Sequence, residues 1–308
     1  MGRYTLRRLL QLIPVILGTT FLIHFLVWNL PGDPFAGRCG ERPCNPAYIE
    51  RMTELYNLND PLIIQYGKYL LNLLQGNFGE DFRGVPVAET MAEVWPNTVK
   101  LAVVALSIEI IIGIGAGVLT GLKRGGFLDN LVMISTLFLM SLPVFVIGYL
   151  LQLTLGLQLG IIRPTVSPEM PWSELIVPGF VLASLQVAFT ARLTRASIAE
   201  NMRADYVRTA VAKGLPRRRV VGVHLLRNSL IPAVTFLGTE VGALMAGAIV
   251  TEGIFNINGV GQTIYRGIIT HDATAVVPMV TVLVLVYLLA TLLVDLLYAV
   301  LDPRIRYE

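Results

Sequence analysis

Charged side chains are scarce in this chain of 308 residues. Asp, Glu, Lys and Arg together make up 15% of the sequence, whereas hydrophobic residues make up 54% and the mean hydropathy is +0.66. A soluble domain carries roughly 25% charged residues. The low charge therefore excludes an ordinary soluble domain and indicates an integral membrane protein. The net charge of +3 is small, so the positions of the charges are more informative than their sum.

The short motifs of common enzymes are also missing. The sequence has no H-E-x-x-H zinc motif, no G-x-S-x-G nucleophile motif and no other catalytic constellation. It has no G-x-x-x-x-G-K-[ST] loop, so this chain has no phosphate-cradling loop of its own. We therefore expect no catalytic residue and no bound cofactor in this chain.

Long apolar stretches are abundant instead, and six of them can each cross a bilayer, which takes about 20 helical residues. They are approximately Leu9–Leu30, Thr98–Leu122, Leu131–Leu155, Leu175–Ala191, Ile231–Val250 and Val276–Val300. The first follows a basic N-terminus, as the apolar part of a signal peptide would. Its apolar run exceeds the roughly 7–15 residues of a signal peptide and no A-x-A site follows it, so we expect a retained helix.

The distribution of Lys and Arg predicts the orientation of these spans, because cytoplasmic loops carry an excess of both. With a cytoplasmic N-terminus, the inner segments hold 16 of the 24 basic residues. These are Arg3, Arg7, Arg8, Lys123, Arg124, Arg192, Arg195, Arg203, Arg208, Lys213, Arg217, Arg218, Arg219, Arg227, Arg304 and Arg306. Six spans also return the C-terminus to the cytoplasm. We therefore predict a multi-pass protein with both termini cytoplasmic.

The region between the first two spans, residues 31–96, is acidic on balance and faces outward in this topology. Within it, "IIQYGKYLLNLLQGNFG" has apolar residues at Ile64, Leu71 and Leu74, roughly helical spacing, and a glycine at Gly76. Four polar residues interrupt the stretch. We expect a structured extracytoplasmic insert or an interfacial helix and not a seventh span.

The two cysteines, Cys39 and Cys44, lie in this outward insert with C-x4-C spacing. Disulfides persist outside the cytoplasm, so a short-loop disulfide is a candidate, with two free thiols as the alternative. Two thiolates without a nearby His or further Cys do not fill the four positions of a zinc site, so we expect no metal.

Small residues and a proline mark the packing of two spans. Gly113, Gly117 and Gly121 form two overlapping G-x-x-x-G repeats, which let helix backbones approach closely in lipid. Pro143 is expected to kink the third span, because proline removes a backbone hydrogen bond. These features predict helix packing and identify no partner.

Ionisable residues within spans are costly and therefore informative. Glu109, Glu240 and Asp295 lie in the second, fifth and sixth spans, and His24 lies in the first. The three acids are candidates for a polar translocation path. The alternative is a structural hydrogen bond between helices, or a position near the membrane interface.

The largest inward loop carries the signals of a short helix. Asp205 suits the N-cap, Gly214 can adopt the left-handed conformation after the last turn, and Pro216 prevents continuation. The predicted helix spans Tyr206–Lys213. Three of its residues, Val207, Ala210 and Val211, share one apolar face. Such a helix could dock in a groove on another protein. The basic stretch "RRRVVGVHLLRN" that follows it could lie on anionic lipid headgroups instead, so both readings stay open.

The loop resembles the E-A-A loop of type I ABC importer permeases, whose pattern is E-A-A-x3-G-x9-I-x-L-P. Ala210, Gly214 and Leu226 match that general pattern. The segments "YVRTAVAKGL" and "LRNSLIP" look like those of the dipeptide/oligopeptide branch. So do "LPGDP", "LNDPLIIQYGKYLLNLLQGNFGEDF", "PNTVKLA", "VTEGIFNINGVGQTIYRGIITHD" and "DLLYAVLDPRIRY", and together they span almost the whole chain. The sequence is similar to the first permease subunit, the B-type, of this branch.

The resemblance implies an all-α fold of six transmembrane helices with a structured insert between the first two. Residues 1–30 would hold the N-terminus and first span, 31–96 the insert, and 97–308 the core with a coupling loop at about 196–229. The loop would couple to an ATPase through Tyr206, Val207, Arg208, Thr209, Ala210, Val211, Lys213 and Gly214. Implied partners are a second homologous permease, two ATPase subunits or domains that hold ATP and Mg, an extracytoplasmic peptide-binding protein and membrane lipid, with no nucleic acid.

Two other classes and a different substrate remain as alternatives. Permeases for nickel or glutathione share these motifs, so the substrate is open within the bacterial or archaeal inner-membrane importers. A proton-coupled transporter would use Glu109 and Asp295 as its switching charges. A membrane scaffold that transports nothing would need no switching charges. Co-purification of an ATPase would separate the importer from both rivals.

Overall fold

The computed structural model describes residues 2–28, 44–81 and 83–301, without the side chains of 2–5, 246, 247, 295 and 297–301. The described residues are mostly helical, and their only extended pairing is an isolated bridge between Glu80 and Pro86. The α-helices are α1 Gly2–Trp28, α2 Pro46–Leu55, α3 Leu62–Leu74, α4 Val87–Ile108, α5 Gly115–Leu122, α6 Phe127–Ser141, α7 Val144–Leu151, α8 Ile176–Asn201, α9 Asp205–Ala212, α10 Arg217–Arg219, α11 Leu226–Ser229, α12 Ile231–Phe255, α13 Val260–Ile269 and α14 Ala273–Leu301. Three π-helical segments join neighbouring α-helices at Glu109–Ile114, Gln152–Gln158 and Val220–Leu225.

Four helical stretches are long and apolar enough to cross a membrane, and two bent helix pairs raise that number to six if each pair is one span. The four are Leu6–Trp28, Val87–Leu122, Ile176–Asn201 and Ala273–Val294. The bent pairs are Phe127–Ser141 with Val144–Gln158 and Arg217–Ser229 with Ile231–Met245. The structure therefore confirms a helical, multi-span protein and gives four to six candidate spans. The second of them begins at Val87, inside the range predicted for the insert.

The predicted kink at Pro143 is a complete break. The two helices on either side of it meet at 104°. Leu142 has an extended backbone, with a ψ of 134°, because a residue before proline is disfavoured in the α conformation. Pro143 itself then holds the N-cap position of the next helix, with a φ of −60°. The bend expected at Pro143 within the stretch Leu131–Leu155 is therefore confirmed.

The chain folds as two compact units. The first, unit 1, comprises the described residues up to Val99 together with those from Asn256 on. In it, α1 packs along α14, and α13 packs on the beginning of α14. Helix α3 joins this unit through tyrosines: Tyr66 donates a hydrogen bond to the Leu17 carbonyl oxygen at 2.8 Å, and Tyr69 donates one to the Thr281 hydroxyl at 2.8 Å.

Helix α3 confirms the amphipathic helix predicted in the insert, but its buried face differs. Leu71 and Leu74 are exposed by 58% and 83%, whereas Gln65 is buried. Tyr66 and Tyr69 face the unit because their hydroxyl groups find partners there, which lets a buried polar side chain persist. The apolar stripe at Ile64, Leu71 and Leu74 is exposed among the residues that the structure describes.

The second unit, unit 2, runs from Lys100 to Phe255 and is built around α8. Helices α5, α6, α7 and α12 and the π segment Glu109–Ile114 all pack against α8. The glycine repeat makes the closest of these contacts: Gly113, Gly117 and Gly121 lie against Thr190, Thr194 and Ile198 of α8. The predicted role of the repeat in helix packing is confirmed, because an added Cβ would collide at Gly117 and Gly121 and would be unusually close to Thr190 at Gly113.

Candidate functional site

Helix α9 is the short helix predicted in the largest loop, and it begins one residue early. Asp205 is its first residue and not its N-cap; that position is held by Ala204, whose backbone is extended and whose side chain cannot cap. Asp205 is almost fully exposed and pairs with Arg208 at 3.6 Å. A pair this exposed contributes little to stability. The carboxylate still complements the positive end of the helix dipole.

The end of α9 is fixed by a glycine in the left-handed conformation, as the sequence predicted. Gly214 has a φ of +73°. Its N–H donates to the Val211 carbonyl at 2.9 Å, and the N–H of Leu215 donates to the Ala210 carbonyl at 3.3 Å. These two bonds form a Schellman motif, which satisfies carbonyls that the last turn leaves without helical partners. The helix thus ends in a defined geometry.

One side of α9 is buried against its own chain. Val207 and Ala210 are exposed by only 7% and 4%, and they form a small core with Ile198, Val220 and Leu225. Leu215 packs on the edge of this core. The cluster attaches α9 to the last part of α8 and to the π segment Val220–Leu225.

The sequence predicted that Val207, Ala210 and Val211 form a free docking face, and this prediction is wrong. Val211 is 61% exposed, whereas the other two side chains are covered. Residues 210 and 211 are consecutive, so their side chains leave a helix about 100° apart. The small core fixes the side chains of Val207 and Ala210 toward the protein. The side chain of Val211 therefore points outward.

A different surface of α9 is open to a partner. It is formed by the exposed residues Tyr206, Arg208, Thr209, Val211 and Lys213. We call these five residues the outer face of α9. The Tyr206 hydroxyl donates to the Asn201 amide oxygen at 2.6 Å, which holds the aromatic ring against the end of α8. The outer face therefore combines an aromatic and an aliphatic contact with two cations, on a helix that the chain itself holds in place.

Pro216 both ends the turn after α9 and holds the N-cap position of the next helix. Its backbone is extended, with a ψ of 143°, and the basic triplet Arg217–Arg219 forms the first helical turn after it. All three arginines are exposed. The basic stretch is thus a second surface of the loop, separate from the outer face of α9.

Two of the predicted acids within spans accept hydrogen bonds from α8. Glu109 is fully buried, and one of its carboxylate oxygens accepts from the Thr190 hydroxyl at 2.7 Å. Its other oxygen has no hydrogen-bond partner in the described part of the chain. Glu240 accepts from the Gln186 amide at 3.0 Å. The sequence did not identify either hydrogen-bond partner. The available signal was that Gln186 and Thr190 are polar residues four positions apart on an otherwise apolar helix.

The remaining predicted residues do not join these acids in a described site. The side chain of Asp295 and all of Cys39 lie outside the described residues. Cys44 is disulfide-bonded, and its pairing with Cys39 stays a prediction. His24 is buried in the first unit, with its ring 5.0 Å from that of Tyr69. No group of three or more potential metal ligands occurs in the described ranges.

An ion pair near the loop, with a buried carboxylate, was also missed. Arg195 of α8 makes two hydrogen bonds to the carboxylate of Asp129 on α6, one of them from Nη2 at 2.8 Å. The N–H of Gly125 donates to the same carboxylate at 2.8 Å. Two parallel bonds from a guanidinium fix the angle between the partners. The sequence signal was Asp129, an acid at the start of an apolar stretch that follows the basic pair Lys123 and Arg124.

Comparison with known proteins gives matches over most of the chain. The model of the family described as "Binding-protein-dependent transport system inner membrane component" matches residues 113–307. The model of its N-terminal region matches residues 1–102. A dipeptide transport system permease protein of Alkalihalophilus pseudofirmus is 34% identical over 99% of both chains. A di/tripeptide transport system permease protein of Pseudomonas aeruginosa is 36% identical over 98% of both. A glutathione transport system permease protein of Pectobacterium atrosepticum is 36% identical over the full length of both.

Proposed function

The chain belongs to the family of binding-protein-dependent transport system inner-membrane components, and from this we propose that it is the permease subunit of an ATP-driven peptide importer. Relatives named as dipeptide and di/tripeptide permeases match it from end to end, which supports peptides as the substrate class. The chain would form the translocation path together with a second, homologous permease. ATP and Mg would be held by two ATPase subunits or domains, and an extracytoplasmic binding protein would deliver the peptide.

The observation that carries the coupling role is the outer face of α9. It is exposed on a helix whose opposite side is anchored by Val207 and Ala210 to the core around Ile198. A helix of two turns is marginal alone in water, so this anchoring is what gives the surface a fixed shape. The outer face would dock in a groove of an ATPase. Force applied there would act on α8 through the shared core.

Helix α8 in turn is the centre of unit 2, which suits it to pass such a movement on. Gly117 and Gly121 of α5 touch α8 with no room for an intervening side chain. The paired hydrogen bonds between Arg195 and Asp129 link α8 to α6 near its cytoplasmic end in the proposed topology. Closely packed interfaces shift between discrete arrangements more readily than they deform. ATP-driven closure of the ATPases would therefore move α8 and its neighbours together.

The proposed topology places α9 and both termini in the cytoplasm and the insert outside. The basic triplet Arg217–Arg219 would then lie near the anionic inner leaflet, which agrees with the excess of Lys and Arg on that side. The proposed disulfide between Cys39 and Cys44 would lie outside, where it persists.

A proton gradient is the rival energy source, and the contacts of the acids favour ATP. Glu109 and Glu240 each accept a hydrogen bond from α8, which supports a structural role for both. An obligatory proton carrier should lose uphill transport when it is neutralised, because the switching charge is gone. Glu109→Gln should leave ATP-dependent uptake largely intact, apart from an assembly cost.

Glutathione is the second candidate substrate, since a glutathione permease is as similar to the chain as the di/tripeptide permease. The test uses proteoliposomes that hold the chain, its permease partner, the ATPases and the binding protein. Dipeptides, tripeptides, glutathione and Ni²⁺ are offered in turn on the binding-protein side, with ATP on the other side and an uncoupler present. Accumulation of peptides supports the proposal. Uptake that ignores ATP and follows an imposed pH gradient overturns it, and accumulation of glutathione alone selects the second candidate.

A further inference from the structure

Helix α3 carries four large aliphatic side chains that are exposed among the described residues. They are Ile63, Ile64, Leu71 and Leu74, and we call them the α3 stripe. Successive residues of a helix are about 100° apart, so these four lie within about 100° of one another around α3. Gly67 lies between them, and a Cβ there would meet open space. A contiguous exposed apolar surface marks a contact with a partner or with a membrane.

The other side of α3 is held by two of the candidate spans. The Tyr66 hydroxyl donates to the Leu17 carbonyl of α1 and lies 2.8 Å from the Thr20 hydroxyl. The Tyr69 hydroxyl donates to the Thr281 hydroxyl of α14 at 2.8 Å. Thr20 and Thr281 are fully buried, so the tyrosines supply partners to polar groups that water does not reach.

The two threonines show how far α3 reaches into the membrane. The spans Leu6–Trp28 and Ala273–Val294 have 23 and 22 residues, so each is about 33–35 Å long, close to the roughly 30 Å of a hydrocarbon core. Thr20 lies eight residues before the end of the first span, and Thr281 lies eight residues after the start of the second. Eight residues rise about 12 Å along a helix. Both tyrosine hydroxyls therefore lie at the depth of the acyl chains, and α3 is within one tyrosine side chain of that depth.

The apolar surface of α3 is continuous with the exposed surface of α1. The Tyr66 ring packs edge-on against Phe21 of α1, with the ring centroids 5.2 Å apart. Phe21 stacks on Phe25 at 6.3 Å, and Phe25 is exposed. Little of the α1 span is buried inside the chain. Because α1 crosses the membrane, its exposed side lies in the bilayer, and α3 adjoins that side.

The only charged residue of α3 lies at the edge of the stripe. Lys68 is about 40° around the helix from the nearest member of the stripe. Its ammonium group donates to Asp60 at 2.6 Å and to the Asn57 amide oxygen at 2.9 Å. Tyr56, which directly precedes Asn57, stacks on Trp28 at the end of α1, with the ring centroids 5.0 Å apart. Trp and Tyr are enriched at membrane interfaces, so the charge of Lys68 is directed toward the interface and away from the stripe.

The composition of the stripe favours lipid over a protein partner. Interfaces between proteins are enriched in Tyr, Trp, Phe, Met and Arg, and a few such residues supply most of the binding energy. The stripe contains only Ile and Leu, and it offers no side-chain donor or acceptor. Acyl chains need no such group, and they cover aliphatic side chains of any arrangement.

We infer that α3 is embedded in the membrane leaflet on the side of the insert, with lipid acyl chains covering the α3 stripe. The helix is then a membrane-embedded element that does not cross the bilayer. It anchors the insert in lipid at a point separate from the spans. This lipid contact goes beyond the proposed function, because it depends neither on the substrate nor on the energy source.

The test measures which small molecules collide with the stripe. The complete permease–ATPase complex, with partner subunits free of cysteine, is placed in nanodiscs of phosphatidylcholine and phosphatidylglycerol. A nitroxide is attached to Leu71→Cys or Leu74→Cys without reductant, so that the disulfide of Cys44 stays closed. Electron paramagnetic resonance with power saturation then reports collisions with oxygen, which concentrates among acyl chains, and with a water-soluble nickel chelate. The chain without an added cysteine gives the background.

Both stripe positions should collide with oxygen and should lose collisions with the nickel chelate. Their ratio of oxygen to nickel collisions should match that of Leu22→Cys, an exposed position of α1. It should exceed that of Glu54→Cys, an exposed polar position on α2 of the same insert. Lys68→Cys, at the edge of the stripe, should give an intermediate ratio.

Three results would overturn the inference. Frequent nickel collisions at Leu71 would place the stripe in water. Few collisions with either reagent would show that the second permease or another protein covers it. A profile that changes when the binding protein is added would assign the stripe to that partner. If Leu71→Cys does not assemble, Leu74→Cys and Ile63→Cys decide. A complex that imports no peptide but keeps the expected profile contradicts the proposed function alone.

Discussion

Gly117 of α5 lies directly against Thr194 of α8. A Cβ added at Gly117 would come within 2.5 Å of the Thr194 Cβ and 2.7 Å of the Ala191 carbonyl oxygen. The second of these atoms belongs to the backbone, so it cannot turn aside. The two helices therefore touch through their backbones, and this contact sets how closely α5 approaches the central helix of its unit.

Gly117→Ala should destabilise the membrane-inserted chain. The added methyl group overpacks the contact with Thr194 and Ala191, which costs about 1–3 kcal/mol. The thermal unfolding midpoint in detergent, followed by intrinsic fluorescence, should fall by several degrees. Gly115→Ala is the matched control in the same helix, because a Cβ there meets no atom within 4 Å. Equal midpoints for the two variants would contradict the close approach.

Gly214→Val should weaken coupling without preventing insertion. The φ of +73° at Gly214 disfavours a β-branched residue by about 1–2 kcal/mol, although a Cβ there meets no neighbour within 4 Å. Strain at the end of α9 should tilt its outer face and lower the ATPase activity stimulated by peptide and binding protein. Gly222→Val is the control, since that site is equally open and has no positive φ. Normal stimulation in Gly214→Val would reject the role of this helix end.

Val211→Asp should block association with the ATPase while the chain stays folded. Val211 is exposed, so an added charge changes the outer face of α9 and leaves the core intact. Co-purification of the ATPase subunits, at an unchanged unfolding midpoint, measures this effect. Ala210→Asp should instead lower the midpoint, because it buries a charge in the core around Ile198. An ATPase that co-purifies undiminished with Val211→Asp would exclude this face as the docking site.

Asp272→Asn should gain stability relative to the wild type as the pH rises. Burial raises the pKa of Asp272 above its ordinary value of 3.8, so the native state favours the protonated carboxyl. That contribution is complete below 3.8 and is lost as the pH rises through the raised pKa. The difference in unfolding midpoint between variant and wild type, measured from about pH 4 to about pH 7, should therefore grow in favour of the variant.

Glu174→Gln provides a control of opposite sign for this measurement. Hydrogen bonds from the Ser167 N–H and hydroxyl, both 2.8 Å, hold the pKa of Glu174 below its usual range. The wild-type carboxylate thus stabilises the native state above its ordinary pKa, and this advantage over Gln shrinks as the pH falls. Parallel pH trends in the two variants would contradict the assignment for Asp272.

Local patterns predicted several features correctly because each depends on few residues. The amphipathic helix α3, the end of α9 at Gly214 and the packing of Gly113, Gly117 and Gly121 were all expected from spacing. The position of the bend at Pro143 was expected, but its angle was not. A proline dictates the conformation of its own neighbours, whereas the angle of 104° depends on what each helix packs against.

The apolar residues of α9 show where local patterns end. From their spacing, Val207, Ala210 and Val211 were expected to share one apolar face of the helix. Only the positions of Ile198, Val220 and Leu225 decide that Val207 and Ala210 are covered and Val211 is free. The same holds for Glu109, whose partner Thr190 is distant in sequence.

The sequence by itself determined the membrane class of the chain, its helical segments and, through whole-length motifs, its family. Periodicity and turn residues are local signals that extend over one or two helical turns. Each helix can therefore be predicted from its own residues. The tertiary structure alone decided which residues of α9 face outward, that Arg195 pairs with Asp129, and that Asp272 lines a groove with Asp81. These relationships join residues far apart in sequence, and they exist only once packing has brought their helices together.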